Sequence, residues 1–277
     1  MKELFDQVSI RCSQVTTHAY STSFTIGIKC LAPELREPIY AIYGFVRLAD
    51  EVVDSFHDYD KTSLLEHLRE ETVAAINDGI SLNPILNSFQ ATVRRYKIEF
   101  SLIERFLYSM EMDLQRRKYD QSRFEEYVLG SAEVVGLMCL RVFTSDDKLY
   151  EQLKPYAMRL GSAFQKINFL RDIQSDYLQL GRSYFPDVEI AHFNEESKQR
   201  IEHDINQDFD MGLKGILLLP RTSRLGVYVA YAYYKALFRK IRNTPSRMIL
   251  NSRIRIHAQH KAGLLVYAYV KHQLRLI

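Results

Sequence analysis

Apolar residues recur at intervals of three and four along almost the whole chain, and this regularity limits the fold more than any other feature of the sequence. Residues able to break it are few, with 11 Gly and 7 Pro among 277 positions. The period is helical rather than alternating, so the reading is an all-α protein built as a helical bundle. Interruptions fall at Ala32-Pro33, Asn77-Asp78-Gly79, Asn83-Pro84, Thr144 to Asp147, Gly181 to Pro186 and Asn243 to Pro245. They leave helices at roughly 3–19, 34–56, 62–77, 84–97, 101–117, 122–143, 147–179, 194–218, 221–242 and 246–274. Ser63 with Glu66, Ser101 with Glu104 and Ser122 with Glu125 have capping-box spacing and mark three of the starts. No Pro-, Gly- or Ser-rich linker divides the chain, so one domain over 1–277 is expected.

A formal net charge of +3 is too mild to imply nucleic acid, and no RNP, zinc-finger or basic-arm pattern occurs. Cys12, Cys30 and Cys139 are far apart, without C-x-x-C or Cys/His ligand spacing, and read as reduced thiols of a cytoplasmic protein. The N-terminal MKELFDQVSIRCSQ lacks the apolar region of a secretory signal. The longest apolar stretch, Leu225 to Phe238, carries Lys235 and falls short of the ~20 residues a membrane span needs.

Two segments depart from ordinary amphipathic design. In QKINFLRDIQSDYLQLGRSYFP, Gln165, Asn168, Asp172 and Asp176 share one stripe within about 80° of helical arc. In PIYAIYGFVRLADEVVDSF, Tyr43, Arg47, Asp50 and Asp54 lie within about 60°. The remainder of that second segment, with Ile39, Ile42, Phe45, Val46, Leu48, Val52 and Val53, is apolar enough to be buried, so its polar stripe should line a cavity. Each stripe holds two carboxylates at i,i+4, roughly 6 Å apart. Four carboxylates facing one another at neutral pH are tolerable only with cations among them. Oxygen ligands without organised His or Cys favour Mg²⁺ or Mn²⁺, which takes its remaining ligands from water and phosphate oxygens. Arg47, Arg171 and Arg182 would complement such phosphates. The abundant Tyr and Phe nearby, including Tyr20, Phe24, Tyr40, Tyr127, Phe164, Phe169 and Tyr177, suit a long hydrocarbon and a carbocation, or an ordinary aromatic core.

At these residues the chain resembles the squalene/phytoene synthase family, the head-to-head class I prenyltransferases. Tyr20-Ser21-Thr22-Ser23-Phe24 looks like the family's S-x-S-F element, YAIYGFVRLADEVVD like its first D-x-x-x-D helix, and NFLRDIQSDYLQLGRSYFP like its second, with the GR-x-YFP tail. The order and spacing cover nearly the whole length. The resemblance implies a class I terpenoid synthase-like bundle around a deep central cavity. It also implies Mg²⁺ (or Mn²⁺) held by Asp50, Asp54, Asn168, Asp172 and Asp176, with Tyr43 and Arg47 completing the catalytic set. Ser21, Ser23, Gln165, Arg171, Arg182, Arg253 and Lys261 would meet diphosphate or the polar wall, and Phe24, Val135, Gly136, Tyr184 and Tyr233 the hydrocarbon. A family segment of the form Y-x-x-x-V-A-G-x-V-G is here Tyr127-Val128-Leu129-Gly130-Ser131-Ala132-Glu133-Val134-Val135-Gly136, with Glu133 in place of Gly and Leu129 where an aromatic is frequent. That departure bears on cavity shape, and so on substrate length.

The implied reaction is the condensation of two geranylgeranyl diphosphates through prephytoene diphosphate to phytoene, as in carotenoid biosynthesis, with no NADPH required. The alternatives are a C30 synthase acting on farnesyl diphosphate, giving dehydrosqualene, squalene or presqualene diphosphate, and a catalytically silent scaffold of the same fold. A head-to-tail prenyltransferase would carry D-D-x-x-D, which neither acidic site has. Greasy substrates are compatible with peripheral contact at the inner face of the membrane; the basic and aromatic C-terminal region around Arg253, Arg255 and Lys261 is a candidate docking face, with an ordinary solvated face as the favoured alternative reading of that patch.

Overall fold

The computed structural model describes residues 1–115, 119–180, 184–186, 193–250 and 254–277, with backbone alone at 175 and 177–180. The described residues form helices and no strand. In chain order they are α1 (Lys2–Tyr20), α2 (Thr22–Lys29), α3 (Pro33–Asp54), α4 (Lys61–Asp78), α5 (Pro84–Tyr96), α6 (Phe100–Leu114) and α7 (Gln121–Val128). A π-helical turn (Leu129–Glu133) leads into α8 (Val134–Phe143), and α9 (Asp147–Leu180), α10 (Glu195–Leu218), α11 (Arg221–Arg242), α12 (Ser246–Ile249) and α13 (Ala258–Gln273) complete the chain.

Most interruptions in the pattern are helix boundaries. Asn83 caps α5 by accepting from the amides of Ile85 and Leu86, with Pro84 at the first helical position. Gly79 ends α4 at φ 72°, where a side chain would be strained. The capping residues differ from those expected. Asp60 accepts from the Ser63 amide and Asp120 from the Arg123 amide, so Ser63 and Ser122 lie inside their helices, while Glu99 precedes α6 without a side-chain cap. In α4 and α7 an aspartate two or three residues upstream of the serine starts the helix earlier and takes the orphan amide.

Three segments depart from the expected helices. Residues 22–29 form α2, started by Ser21, whose hydroxyl accepts from the Phe24 amide. The helix expected over 122–143 is split by the π turn, whose extra residue per turn re-aims the side chains of α8. The segment expected as 246–274 contains the short α12 and then α13.

Two large apolar clusters flank the middle of the molecule. One gathers α3, α4, α5 and α6 around Phe45, Phe89 and Phe106, with Phe45 stacked on Phe89 at 3.9 Å. The other gathers α9, α10, α11 and α13 around Ile167, Phe209, Phe238 and Ala268. Ile39, Ile42, Phe45, Val52 and Val53 are all buried, so α3 is embedded on most of its circumference, as its composition predicts. Ser9, Ser13 and Thr17 of α1 are fully buried, and a Cβ at Gly44 would stand 2.7 Å from the Ser13 hydroxyl. Small residues thus let α1 approach α3 closely. Among the described residues no helix is long and apolar enough to cross a membrane.

Candidate active site

Between the two clusters lies a cavity of about 480 Å³. Part of each stripe lines it: Tyr43, Arg47 and Asp50 of the α3 stripe from one side, Gln165 and Asn168 of the α9 stripe from the other, joined by Arg171, which lies beside that stripe. Both helices run from an apolar end toward this polar end. On α3 the wall begins at Ile39 and Ile42; on α9 it begins at Leu153, Tyr156 and Ala157, giving an extent of roughly 27 Å along α9 at 1.5 Å per residue. Glycines at 27, 136, 161, 212, 215 and 226 leave the interior of the apolar part open.

Arg47 is the hinge of the α3 stripe. It lies 3.8 Å from Asp50, pairs with Glu51, and its guanidinium covers the Tyr20 ring at 4.2 Å. Its Nε is buried with no hydrogen-bond partner among the described residues, a donor of a charged group that an anion at the cavity wall would satisfy. On α9, Arg171 donates from Nε to both Asp172 oxygens at 3.0 and 3.1 Å, and from its terminal nitrogen to Oδ2 at 2.5 Å. Asn168 donates to Gln165 Oε1 at 3.4 Å and accepts from the Tyr234 hydroxyl at 3.3 Å.

Phe24 of α2 joins the two sides. Its ring centroid is 5.8 Å from Tyr43, 5.9 Å from Tyr234 and 6.4 Å from Phe164, and Phe164 stacks on Tyr234 at 4.0 Å. Burial pushes the Tyr43 phenol up to about 12, against the smaller opposing pull of Arg47, with Ser21 as its hydrogen-bond partner. The phenol therefore stays protonated at neutral pH and acts as a donor. Burial likewise raises Tyr234, while the nearby Arg171 lowers it.

Ser21, Phe24, Val135 and Gly136 also line the cavity. Asp54, one turn beyond Asp50, and Asp172 and Asp176, beyond Arg171, lie past the wall at partly buried positions. Ser23 is off the wall, and Lys261 instead donates to Thr22 Oγ1 at 2.7 Å beside the Ser21–Phe24 element. Tyr184 is not a wall residue: its hydroxyl donates to buried Asp113 at 3.0 Å and its ring stacks on Phe169 at 4.2 Å, behind Tyr127, which donates to the same carboxylate at 2.5 Å. Tyr233 is off the cavity wall, which Tyr234 lines instead. One residue is a 100° turn, and it aims Tyr233 into the protein, where its hydroxyl has no partner among the described residues. Arg182 and Arg253 lie outside the described residues.

The donor set at the polar end consists of carboxylate and amide oxygens, which fits a hard divalent cation in kind. No three Asp, Glu, His or Cys side chains converge on one point among the described residues. The charge of Asp50 and Asp172 is taken up instead by Arg47 and Arg171. An ion shared by the two stripes would have to draw these carboxylates from their guanidinium partners.

The match to the squalene/phytoene synthase family model spans residues 17–260, which takes in both stripes, the Ser21–Phe24 element and the π turn. The chain belongs to the squalene/phytoene synthase family. Members of this family are prenyltransferases that act on prenyl diphosphates with a divalent metal. The chain is 25% identical over 260 residues to phytoene synthase 1 of Solanum lycopersicum, covering 86% of this chain and 62% of that one. It is 24% identical over 254 residues to 4,4'-diapophytoene synthase of Staphylococcus haemolyticus, covering 83% of this chain and 86% of that one. A dehydrosqualene synthase crystal structure superposes with a TM-score of 0.83 at 19% identity, over 96% of this chain and 98% of that one, which shows the class I terpenoid synthase-like fold.

Three contributors to the site carry no clear mark in the sequence. Tyr234 is hidden by the run of tyrosines on α11. Gly161 lies four residues before Gln165 on the same stripe, which is the one signal that could have found it. Asp113, which holds Tyr127, sits on a helix with no motif to mark it.

Proposed function

We propose that the protein condenses two molecules of geranylgeranyl diphosphate head to head, through prephytoene diphosphate, to phytoene. The observation that carries the reading is the cavity with residues of both polar stripes at one end and an apolar interior running roughly 18 Å from Gln165 back to Leu153 along α9. Its length and six wall glycines favour the longer, C20 substrate. The second reading is a C30 reaction on farnesyl diphosphate, and the likeness to a 4,4'-diapophytoene synthase favours it.

A divalent cation held by Asp50, Asp54, Asn168, Asp172 and Asp176 would supply Lewis-acid stabilisation of the departing diphosphate. The chain's own residues do the rest. Arg47, through its unpartnered Nε, and Arg171 hold diphosphate oxygens at the polar end. Ionisation of the first molecule leaves an allylic cation, which the double bond nearest the diphosphate of the second attacks; loss of a proton gives the cyclopropylcarbinyl diphosphate. A second ionisation, rearrangement and proton loss give the hydrocarbon. Phe24, Phe164 and Tyr234 present ring faces to the cations at the junction of the polar and apolar ends. The apolar wall keeps water from quenching them to alcohols. Tyr43, with its phenol at about 12, donates a hydrogen bond rather than accepting the proton, which leaves the released diphosphate as the base.

The test is incubation with C15 and C20 prenyl diphosphates and Mg²⁺, with and without NADPH, and then analysis of the extracted hydrocarbon. Phytoene from the C20 substrate without NADPH is expected. A C30 product from the C15 substrate at higher kcat/KM would replace it with the second reading, and no diphosphate release from either would overturn both.

A further inference from the structure

The charge of this chain is segregated. From Met211 to Ile277 there are 13 Lys and Arg and no Asp or Glu; since the whole chain is +3, residues 1–210 carry −10. This basic quarter of the chain ends in α13, a helix with two unlike faces. Leu264, Leu265 and Ala268 face inward onto the α11 side of the core, with Ala268 fully buried. The other face carries Val266, Tyr267, Tyr269, Val270 and Leu274 within about 160° of arc. All five are exposed, Val266 by 62% and Leu274 by 64%. A solvated helix in a charged region would place its Lys and Arg there.

Cations flank this apolar face rather than interrupting it. Lys271 lies over the Tyr267 ring at 5.1 Å; Arg221 and Arg224 lie close enough to His272 to lower its pKa, after the larger effect of burial; and Arg275 lies just past the end of the helix. At the other end, Lys261 donates to Thr22 Oγ1, beside Ser21 on the cavity wall. An aliphatic stripe with tyrosines, set in a basic surround, matches the lipid–water interface of an anionic leaflet: apolar side chains among the acyl chains, tyrosines at the headgroup level and cations on the phosphates.

We propose that the outer face of α13 is the membrane-docking surface of this protein, and that it takes an anionic lipid bilayer. Docked this way, the end of α13 tied to the cavity rim is brought against the leaflet. The purpose of that arrangement rests on the hydrocarbon product proposed above, but attachment is read without turnover, so the two proposals fail separately.

The experiment is density-gradient flotation of the full chain with vesicles of phosphatidylcholine and of equimolar phosphatidylcholine and phosphatidylglycerol. The unaltered chain is expected to attach to the mixed vesicles about tenfold or more over the neutral ones, each nearby Lys or Arg contributing roughly fivefold. Attachment should weaken in about 1 M salt. The variant carrying Val266→Asp and Val270→Asp should lose attachment about tenfold or more, with unchanged circular dichroism and unchanged turnover of detergent-dispersed substrate. Failure of the unaltered chain to float with either vesicle would overturn the proposal, as would a variant that floats equally well. Light scattering that shows the substitutions splitting a dimer, with vesicle attachment unaffected, would also overturn it by assigning the face to a second copy.

Discussion

Gly161 puts the most geometry at stake for the smallest chemical change. A Cβ there would stand 2.7 Å from the Ala132 carbonyl oxygen and 3.0 Å from its carbon, where ordinary contact begins at 3.4 Å. The obstacle is backbone, at the π turn, so no rotamer can move aside; α9 and the π turn must separate by about 0.7 Å, the shortfall between 2.7 and 3.4 Å. Overpacking of this kind costs about 1–3 kcal/mol, and for a chain of this size each kcal/mol lowers Tm by about 2–4 °C. Gly161→Ala should therefore melt roughly 2–12 °C lower than a helical Gly→Ala change that meets no obstacle and shares its gain in helix propensity. The functional loss should be larger than that implies, because Gln165 and Asn168 come next on the same stripe and a displacement of about 1 Å can cost about 100-fold in rate. Gly263→Ala is the matched control: a Cβ there meets nothing within 4 Å, and replacing a helical Gly should stabilise by about 0.5–1 kcal/mol. Thermal denaturation monitored by circular dichroism, together with the rate of diphosphate release, measures both. If Gly161→Ala melts as high as Gly263→Ala, the close approach of α9 to the π turn is not real and the placement of the stripe goes with it.

The two neighbouring tyrosines of α11 should separate cleanly. Tyr233→Phe removes a buried hydroxyl with no partner among the described residues and should stabilise by on the order of 1 kcal/mol with activity retained, whereas Tyr234→Phe loses the bond to Asn168 and should lower kcat. Phe24→Leu keeps apolar volume but removes the ring between Tyr43 and Tyr234; hydrocarbon formation should fall about 5–30-fold, measured by product extraction. Tyr43 has its pKa raised on folding, so its contribution is intact below pH 10 and is lost as pH rises toward 12. Denaturant titration at pH 7 and pH 12 should show Tyr43→Phe recovering on the order of 2 kcal/mol of the alkaline loss.

The parts of the fold that could be read from sequence are those where one physical requirement acted alone. On α3 a polar stripe interrupts an otherwise apolar surface, and burial of Ile39, Ile42, Phe45 and Val53 turns that stripe toward the cavity. On α9 the spacing of Gln165, Asn168 and Asp172 sufficed in the same way, although the wall ends at Arg171 and leaves the second Asp pair beyond it. Where requirements compete, periodicity loses its meaning. The middle of α11, Leu225 to Phe238, is apolar or aromatic at every position but Gly226 and Lys235, so that stretch does not choose Tyr234 over Tyr233. The π turn, Leu129-Gly130-Ser131-Ala132-Glu133, inserts its extra residue without Pro, and its one Gly and two polar residues also suit an ordinary helix. Helix α2 is only eight residues long, and its start depends on the Ser21 side chain competing for the Phe24 amide, a bond that cannot be told in sequence from an ordinary polar loop.

The central claim is that the stripes on α3 and α9 serve one diphosphate site. The direct measurement is the rate of diphosphate release from the C20 substrate by Asp50→Asn, Asp172→Asn and the double variant, each with circular dichroism to confirm folding. Groups that act as a unit are not additive, so each single variant should lose about 100-fold or more and the double variant little beyond the worse of them. A single variant with near-normal turnover, or losses that multiply in the double variant, would mean that the two stripes do not act on the same diphosphate.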